Sequence, residues 1–445
     1  MTLTNIVVFI SDDHGMLDSQ PYGATDIRTP HMSRLAADGV RFTHAFTASP
    51  SCGPSRTAML TGLWPARNGA EANHTARRPE VPGLPAALRA LGYEVASIGK
   101  VAHNSWAKSY DFDVITGPTR GNTDKNDAEK FFSSRDSAKP LCLFFGTHYP
   151  HTPWVENNGY DPNEISLPPT FVDTAKTRQE RAKYYSSITA ADTLLGELRE
   201  LSKQYLSGDT IFIYTADHGG PWPFGKWDLY DTSTRIPMII SWPNHIPSTT
   251  TNNAIVCLQD LLPTFIELGG GTVPKDLDGK SFAGILRGTT TTHRERVFTT
   301  HSGDGDYNVY PCRSLRTSDE WAYIRNLHPE FQHHTHISRS AGPSGIEYWE
   351  SWLEEAAKNP LAAAVVKRYI ERPAEELYDL KADPFQLNNL AANPEQATRL
   401  TTMRNDVTEW MKSQGDKGTV FGKPLLIGEP VNLIVKPEKK NDKAK

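Results

Sequence analysis

Five short runs dense in Val, Ile and Phe stand out along the chain: Asn5–Ile10, Tyr93–Ile98, Leu141–Phe145, Thr210–Tyr214 and Ile236–Ser241. Each has the length and composition of a buried strand. Stretches with helical spacing separate most of them. One helix is predicted from Thr29-Pro30 to a stop at Gly39, and a second from Pro85 to Leu91, ended by Gly92. A long amphipathic helix should run from about Arg178 to Tyr205, and a further one from about Ile255 to Leu268. This alternation predicts an α/β fold with a large, mostly parallel mixed sheet flanked by helices. After about Thr300 the texture changes to short mixed segments such as Trp321–Arg325, then helical stretches near Tyr348–Ile370 and Glu395–Lys412. The expected division is a domain over 1–300, a smaller α+β domain over 301–430 and a tail over 431–445. The Lys-rich end of that tail, Lys436 to Lys445, has a disordered composition.

The chain is 445 residues long, which suits a large core plus a smaller domain and excludes a small disulfide scaffold. A net charge of −5 argues against a nucleic-acid partner. The apolar runs fall far short of the roughly 18 residues a membrane-spanning helix requires, so no membrane partner is expected. The first residues show no secretory leader, so the expected location is cytoplasmic, or periplasmic or secreted had a leader been removed. Cys52, Cys142, Cys257 and Cys312 are widely spaced, with neither a staple framework nor a C-x-x-C metal pair.

Chemistry-bearing residues follow four of the strands. Asp12-Asp13-His14 follows the first, Lys100 and His103 the second, His148 and His151 the third, and Asp217-His218-Gly219 the fourth. In an open parallel sheet these ends share one edge, where α/β proteins place their ligands. Asp after a strand is also an ordinary turn residue. Three carboxylates converging on one edge, however, would repel one another unless protonated or bridged by a cation. Oxygen donors of this kind suit Ca²⁺, with Mg²⁺ as the lesser choice. Separately, Cys52 lies just ahead of Pro54 and a predicted helix start near Ser55, where the helix terminus favours an anion, with Arg56 one turn away. A lone cysteine at a helix start can equally be a buried apolar residue.

The run Cys52-Gly53-Pro54-Ser55-Arg56 through Leu60-Thr61-Gly62 resembles the signature of the type I, formylglycine-dependent sulfatases of the alkaline phosphatase superfamily. The resemblance continues in the family's order through Asp12-Asp13, Thr29-Pro30 to Leu35, Gly39 to Phe42, Gly99-Lys100, His148 to Pro153, Asp217-His218-Gly219, Lys226-Trp227, Leu229 to Asp231, Thr234 to Pro237 and Glu376 to Leu380. It covers almost the whole chain and implies an alkaline phosphatase-like fold.

By that resemblance Cys52 is the cysteine that a separate maturation enzyme oxidises to formylglycine. Asp12, Asp13, the modified Cys52, Asp217 and His218 are the implied metal ligands. Arg56, Lys100 and Lys226 are implied to hold the modified side chain and the sulfate oxygens. His103 is implied to serve the formylglycine hydroxyl, and His151, with His148 as second candidate, to protonate the leaving group. Many members carry Asn where His218 stands. The spacing Lys100-Val101-Ala102-His103 is similar to that of the iduronate-sulfatase branch, and Asn68 to His74 is similar to the sulfamidase-like branch.

These groups fit the chemistry. Cations must neutralise the peripheral oxygens of a sulfate ester before a nucleophile can approach sulfur. A hydrated aldehyde attacks through one hydroxyl and expels sulfate through the other, whereas a serine or thiol would leave a stable adduct. The implied function is hydrolysis of a sulfate ester, or an N-sulfate, of a carbohydrate, oligosaccharide or other small molecule. The alternatives are a phosphonate monoester or phosphodiester hydrolase of the same superfamily, and a catalytically silent metal- or sugar-binding relative whose Cys52 is never matured. Leaving-group contacts are expected from loops near Asn73-His74, Trp154, Trp222 and the second domain. Asn73-His74-Thr75, formally a glycosylation sequon, is expected beside the Cys52 helix, and His333, His334 and His336 are expected in a solvated loop without a matching carboxylate.

Overall fold

A computed structural model describes residues 4–118, 121–341 and 347–435. Of the tail expected over 431–445, residues 436–445 lie outside the described residues, while Ile434–Val435 forms a short strand. Nine strands form the main sheet: β1 (Asn5–Ser11), β2 (Val40–Phe46), β3 (Glu94–Gly99), β4 (Val114–Thr116), β5 (Leu141–Gly146), β6 (Thr210–Ala216), β7 (Arg235–Ser241), β8 (Thr250–Asn252) and β9 (Val256–Cys257). Their order is β4-β3-β5-β1-β6-β7-β2-β8, with β9 also paired to β2. All pairings are parallel except those of β7, which runs against β6 and β2. The chain leaves β6 through residues 217–234 without a long crossover helix, so it re-enters beside β6 in the opposite direction.

The five apolar runs are the five strands at the centre of this sheet, and both faces are covered. On β1, Val7 and Phe9 face a core shared with Met32 and Leu35 of the helix Pro30–Ala37 and with Leu194, Leu195 and Leu198 of the helix Ala175–Tyr205. Ile6, Val8 and Ile10 face Met59 and Leu60 of the helix Cys52–Thr61, together with Leu84, Leu88, Leu262 and Phe265. Alternate side chains of one strand thus feed two separate cores.

A second sheet, fully antiparallel, is built from β10 (Arg296–His301), β11 (Cys312–Thr317), β12 (Trp321–Asn326) and a later strand beside β12. Between them in sequence lies β13 (Ser340–Ala341); the later strand is β14 (Glu375–Asp379), and β15 (Ile434–Val435) pairs with β13. Leu400, Met403 and Val407 of the helix Ala397–Gln414 pack on Leu315, Tyr323 and Leu377 of this sheet.

Two predicted helices differ from the structure. The one expected from Ile255 begins at Leu261, because Val256–Cys257 pairs with β2 and the buried Asp260 accepts the N–H groups of Cys257 and Lys280. The stretch Tyr348–Ile370 is two helices, Tyr348–Ala356 and Pro360–Ile370. Pro360 cannot continue a helix but starts one well, and the Asn359 side chain caps Leu361 N at 3.0 Å.

The strand ends are brought together by a close glycine contact. A Cβ on Gly146 would lie 2.0 Å from the Lys100 carbonyl oxygen, and one on Gly99, at φ +71°, would lie 2.2 Å from the Gly146 carbonyl oxygen. Neither backbone can retreat, since both strands are paired across the sheet. Gly146→Ala is therefore expected to destabilise the protein by about 1–3 kcal/mol in a denaturant titration and to displace Lys100.

Candidate active site

In-register pairing puts the ends of β3, β5, β1 and β6 side by side: Gly99 opposite Gly146, Ile10 opposite Gly146 and Ser11 opposite Ala216. The residues that follow, Lys100, His148, His151, Asp12, Asp13, Asp217 and His218, consequently meet at one edge. Asp13 adopts a left-handed conformation (φ 67°), as do Trp227 (φ 73°) and His74 (φ 67°). Such strain at non-glycine residues persists where the surroundings enforce it. At Asp13 the Tyr184 hydroxyl donates to the carbonyl oxygen at 2.9 Å and the backbone N–H donates to Asp217 Oδ1 at 3.1 Å.

Cys52 opens the buried helix Cys52–Thr61, with Ser51 in extended conformation ahead of it. The Ser55 hydroxyl donates to the Asp217 carbonyl oxygen at 2.7 Å, which ties this helix start to the end of β6. The Cys52 Sγ lies 3.5 Å from Asp12 Oδ1, 3.4 Å from His218 Nε2, and 3.6 Å from each of Lys100 Nζ and Lys226 Nζ. Burial, with Asp12 adding to it, pushes the Cys52 thiol up, and the two lysines do not reverse this. A thiol so raised stays protonated at neutral pH and is a poor nucleophile as it stands.

Each carboxylate here has a cation. Lys100 Nζ pairs with Asp12, which also receives Arg56 at 3.2 Å. Lys226 Nζ lies 2.8 and 3.0 Å from the two oxygens of Asp13. Arg56 Nε donates to Asp217 Oδ2 at 2.9 Å, and another of its nitrogens donates to the Lys100 carbonyl oxygen. Burial alone would raise Asp12, but Lys100 and Arg56 outweigh it and hold the carboxyl well below the usual range; Asp13 is lowered likewise by Lys226. The three acids therefore do not simply repel one another, and the buried Arg56 serves first to join Asp12 to Asp217.

Asp12, Asp13, Cys52 and His218 each offer one ligand atom, all within 4.8 Å of one another. This donor set, two carboxylates with an imidazole and the side chain of residue 52, fits a divalent cation. Asp217 adjoins the group, with its Oδ2 3.6 Å from His218 Nε2, while its Oδ1 accepts the N–H groups of Asp13 and His218. Asp12, His148 and His151 form a second cluster toward solvent. His148 Nδ1 lies 3.7 Å from Asp12 Oδ2, and His151 Nε2 lies 3.9 Å from Asp13 Oδ2. His151 Nδ1 meets the Thr152 carbonyl oxygen at 2.5 Å, which leaves Nε2 as its outward-acting nitrogen. Burial pulls His151 down to about 4 despite Asp13.

A match to the sulfatase family model covers residues 4–271, and a match to the C-terminal model of N-sulphoglucosamine sulphohydrolases covers residues 218–335. The chain belongs to the sulfatase family. It is a sulfuric ester hydrolase. This sulfatase is 33% identical over 434 residues to an ulvan-active sulfatase of Formosa agariphila, covering 95% of this chain and 83% of that one. It is 26% identical to the N-sulphoglucosamine sulphohydrolase of Homo sapiens, covering 91% and 89% of the two chains. A structure solved in complex with its substrate D-glucosamine-2-N,6-O-disulfate superposes with a TM-score of 0.70 at 20% identity over 94% of this sulfatase and 99% of that chain. A phosphonate monoester hydrolase from Silicibacter pomeroyi superposes at 0.69 and 19% identity, over 93% and 96%; these likenesses establish the shared alkaline phosphatase-like fold.

Two expectations change. His333 and His334 are buried, not solvated, and the matching carboxylate exists: His333 Nε2 lies 3.1 Å from Asp228 Oδ1, which also pairs with Arg372 at 2.5 Å. His336 stacks on Trp227 and lies 3.8 Å from Asp304. Trp154 and Trp222, near which leaving-group contacts are expected, are buried and stack on each other at 5.0 Å, with Tyr348 stacked on Trp222 at 4.7 Å. Asn73 does sit beside the Cys52 helix, accepting the Gly53 N–H at 3.0 Å. Sequence reasoning missed Asp304, which sits between two glycines and reads as a turn. No helix among the described residues is long and apolar enough to cross a membrane.

Proposed function

We propose that this sulfatase hydrolyses a sulfate ester of a carbohydrate with a formylglycine made from Cys52 by a separate maturation enzyme. A divalent cation, Ca²⁺ in preference to Mg²⁺, would be held by Asp12, Asp13, residue 52, Asp217 and His218. The observation that carries this reading is the Cys52 Sγ among Asp12, His218, Lys100 and Lys226 at 3.4–3.6 Å. Ca²⁺ is favoured because it tolerates irregular, oxygen-rich geometry. When bound, it supplies Lewis-acid polarisation of the sulfate oxygens.

The side chains supply the rest. Lys100 and Lys226 neutralise the peripheral sulfate oxygens as charge shifts in the transition state. His103 takes the proton of the second hydroxyl that a hydrated aldehyde at residue 52 carries, which is what frees sulfate. His151 Nε2 gives a proton to the leaving oxygen; the resting imidazole is neutral, and the negative charge of a bound sulfate ester favours the proton it must gain. On this reading residues 1–300 carry the catalytic groups and residues 301–430 form the second wall of the site.

The carbohydrate class rests on the relatives' substrates. An N-sulfated sugar is a second reading, favoured by the C-terminal match over residues 218–335. The deciding experiment is a panel of O- and N-sulfated mono- and disaccharides beside matched phosphonate and phosphate esters, on protein whose Cys52 peptide has lost about 18 Da by maturation. Phosphonate hydrolysis outpacing sulfate release would reverse the assignment of substrate.

Exhaustive chelation is expected to abolish turnover and lower the melting temperature, both restored by Ca²⁺, since a ligand bound at 100 times its Kd contributes about 2.7 kcal/mol. Because each carboxylate keeps a cationic partner, the stripped protein should melt cooperatively rather than unfold. Unchanged activity and melting in metal-free protein would remove the metal from the proposal.

A further inference from the structure

A line of side chains runs from the loop between β10 and β11 to His103. His103 Nε2 lies 2.8 Å from His74 Nδ1, and His74 Nε2 lies 3.2 Å from Asp304 Oδ1. The other oxygen of Asp304 accepts the Trp227 indole N–H at 2.6 Å, with His336 Nδ1 3.8 Å away. Asp304 is buried, and although burial opposes its charge, His336 and His74 hold its carboxyl well below the usual range. The loop carrying His74 is pinned at both ends of this line: Asn73 N donates to the Gly303 carbonyl oxygen at 2.9 Å, and the Asn73 side chain accepts the N–H of Gly53, next to Cys52. His103 Nδ1 is buried and finds no hydrogen-bond partner among the described residues.

These contacts define one proton arrangement for a neutral His74. An anionic Asp304 has no proton to offer the His74 nitrogen 3.2 Å away, so Nε2 carries the proton and Nδ1 faces His103 bare. His103 must then place its proton on Nε2 and donate it to His74. The remaining nitrogen, the buried Nδ1, is left as a lone pair. We propose that Asp304 and His74 set the tautomer of His103, so that Nδ1 is the nitrogen that accepts the proton from the residue-52 hydroxyl. The inference deepens the proposed function and rests on the role assigned there to His103. In the step itself the proton passes from the hydroxyl oxygen to Nδ1, the electron pair of that O–H bond becomes the second bond of the aldehyde, and the carbon–oxygen bond to sulfate breaks with its pair leaving on sulfate. The imidazolium so formed is stabilised through His74 by Asp304. Burial, with Lys100 beside it, pushes His103 down, which keeps the resting ring neutral. Asp304 and His74 are positioning residues in this scheme, since they act through His103.

Asp304→Asn tests it. The Trp227 N–H holds the amide oxygen on its own side, so the NH₂ turns to His74 Nε2 and donates. His74 must then carry its proton on Nδ1, His103 accepts on Nε2, and the proton of His103 moves to Nδ1, where it blocks the base. In ¹⁵N-histidine-labelled protein, with signals assigned by their loss in His103→Ala and His74→Ala, wild type should show His103 protonated on Nε2 and Asp304→Asn should show it protonated on Nδ1. Turnover of a sugar sulfate should fall about 10²–10⁴-fold in kcat with KM little changed. Asp304→Asn should cost nothing further in a His103→Ala background. If Asp304→Asn fails to fold, the half-exposed His74 decides: His74→Ala should lose kcat, and His74→Gln, whose carbonyl can accept from Nε2–H, should recover part of it. Wild-type His103 protonated on Nδ1, or an unaltered tautomer with undiminished kcat in Asp304→Asn, overturns the inference. Full turnover in His103→Ala together with the expected tautomers overturns the role of His103 in the proposed function. An unmatured Cys52 would silence every variant while the two tautomers still decide.

Discussion

Cys52→Ala loses sulfate release by about 10⁴-fold or more while remaining folded, and Cys52→Ser loses it equally. The reasons for the two halves of this result are separate. Turnover requires a nucleophile that can also regenerate, and neither a methyl group nor a single hydroxyl offers one; the Ser variant at most forms one sulfate ester that it cannot release. Folding does not depend on the Sγ, because the start of the helix Cys52–Thr61 is held by Ser55 N to the Ser51 carbonyl oxygen at 3.0 Å, by the Ser55 hydroxyl to Asp217 and by Gly53 N to Asn73. Removing one buried sulfur costs about 1 kcal/mol, a small part of a typical domain's stability. Sulfate release from an aryl sulfate and from a sugar sulfate, beside a thermal melt, checks both halves. An Ala variant retaining more than a trace of turnover would sink the nucleophile assignment.

His151→Ala loses about 10²–10⁴-fold on sugar sulfates and far less on nitrophenyl sulfate. A sugar alkoxide is a much stronger base than a nitrophenolate, so the proton delivered in the transition state matters most for the sugar. In His151 the Thr152 carbonyl engages Nδ1, which leaves Nε2, beside Asp13, to serve the leaving oxygen. Equal loss on both substrates would indicate that the ring only positions substrate. The same selective loss from His148→Ala, with His151→Ala silent, would move the acid to His148.

Much of this was legible in the sequence because parallel strands leave their carboxyl ends in register, so that Asp12, Lys100, His148 and Asp217 could be assigned to one edge from their places after apolar runs. What escaped were contacts made by residues with ordinary local signatures. Asp304 looks like a turn residue between glycines, and only the folding of the second sheet against the loop at His74 gives it a role. His333 was misread as solvated because its partner, Asp228, is more than a hundred residues away and belongs to the loop that carries Lys226. The direction of β7 was likewise invisible, since an apolar strand reads the same whichever way it runs.

The matching of Asp12, Asp13 and Asp217 by Lys100, Arg56 and Lys226 has a thermodynamic consequence. Three negative and three positive groups leave the site near neutrality, so a dication entering it creates an excess of positive charge that an anionic sulfate ester then offsets. Each guest improves the electrostatic setting of the other, and linkage requires the two gains to be equal. The metal should thus be held more tightly with substrate present than without it. The sulfate released at the end of a cycle is itself an anion, so it inherits part of this coupling and should bind more tightly to the metal-loaded than to the metal-free protein.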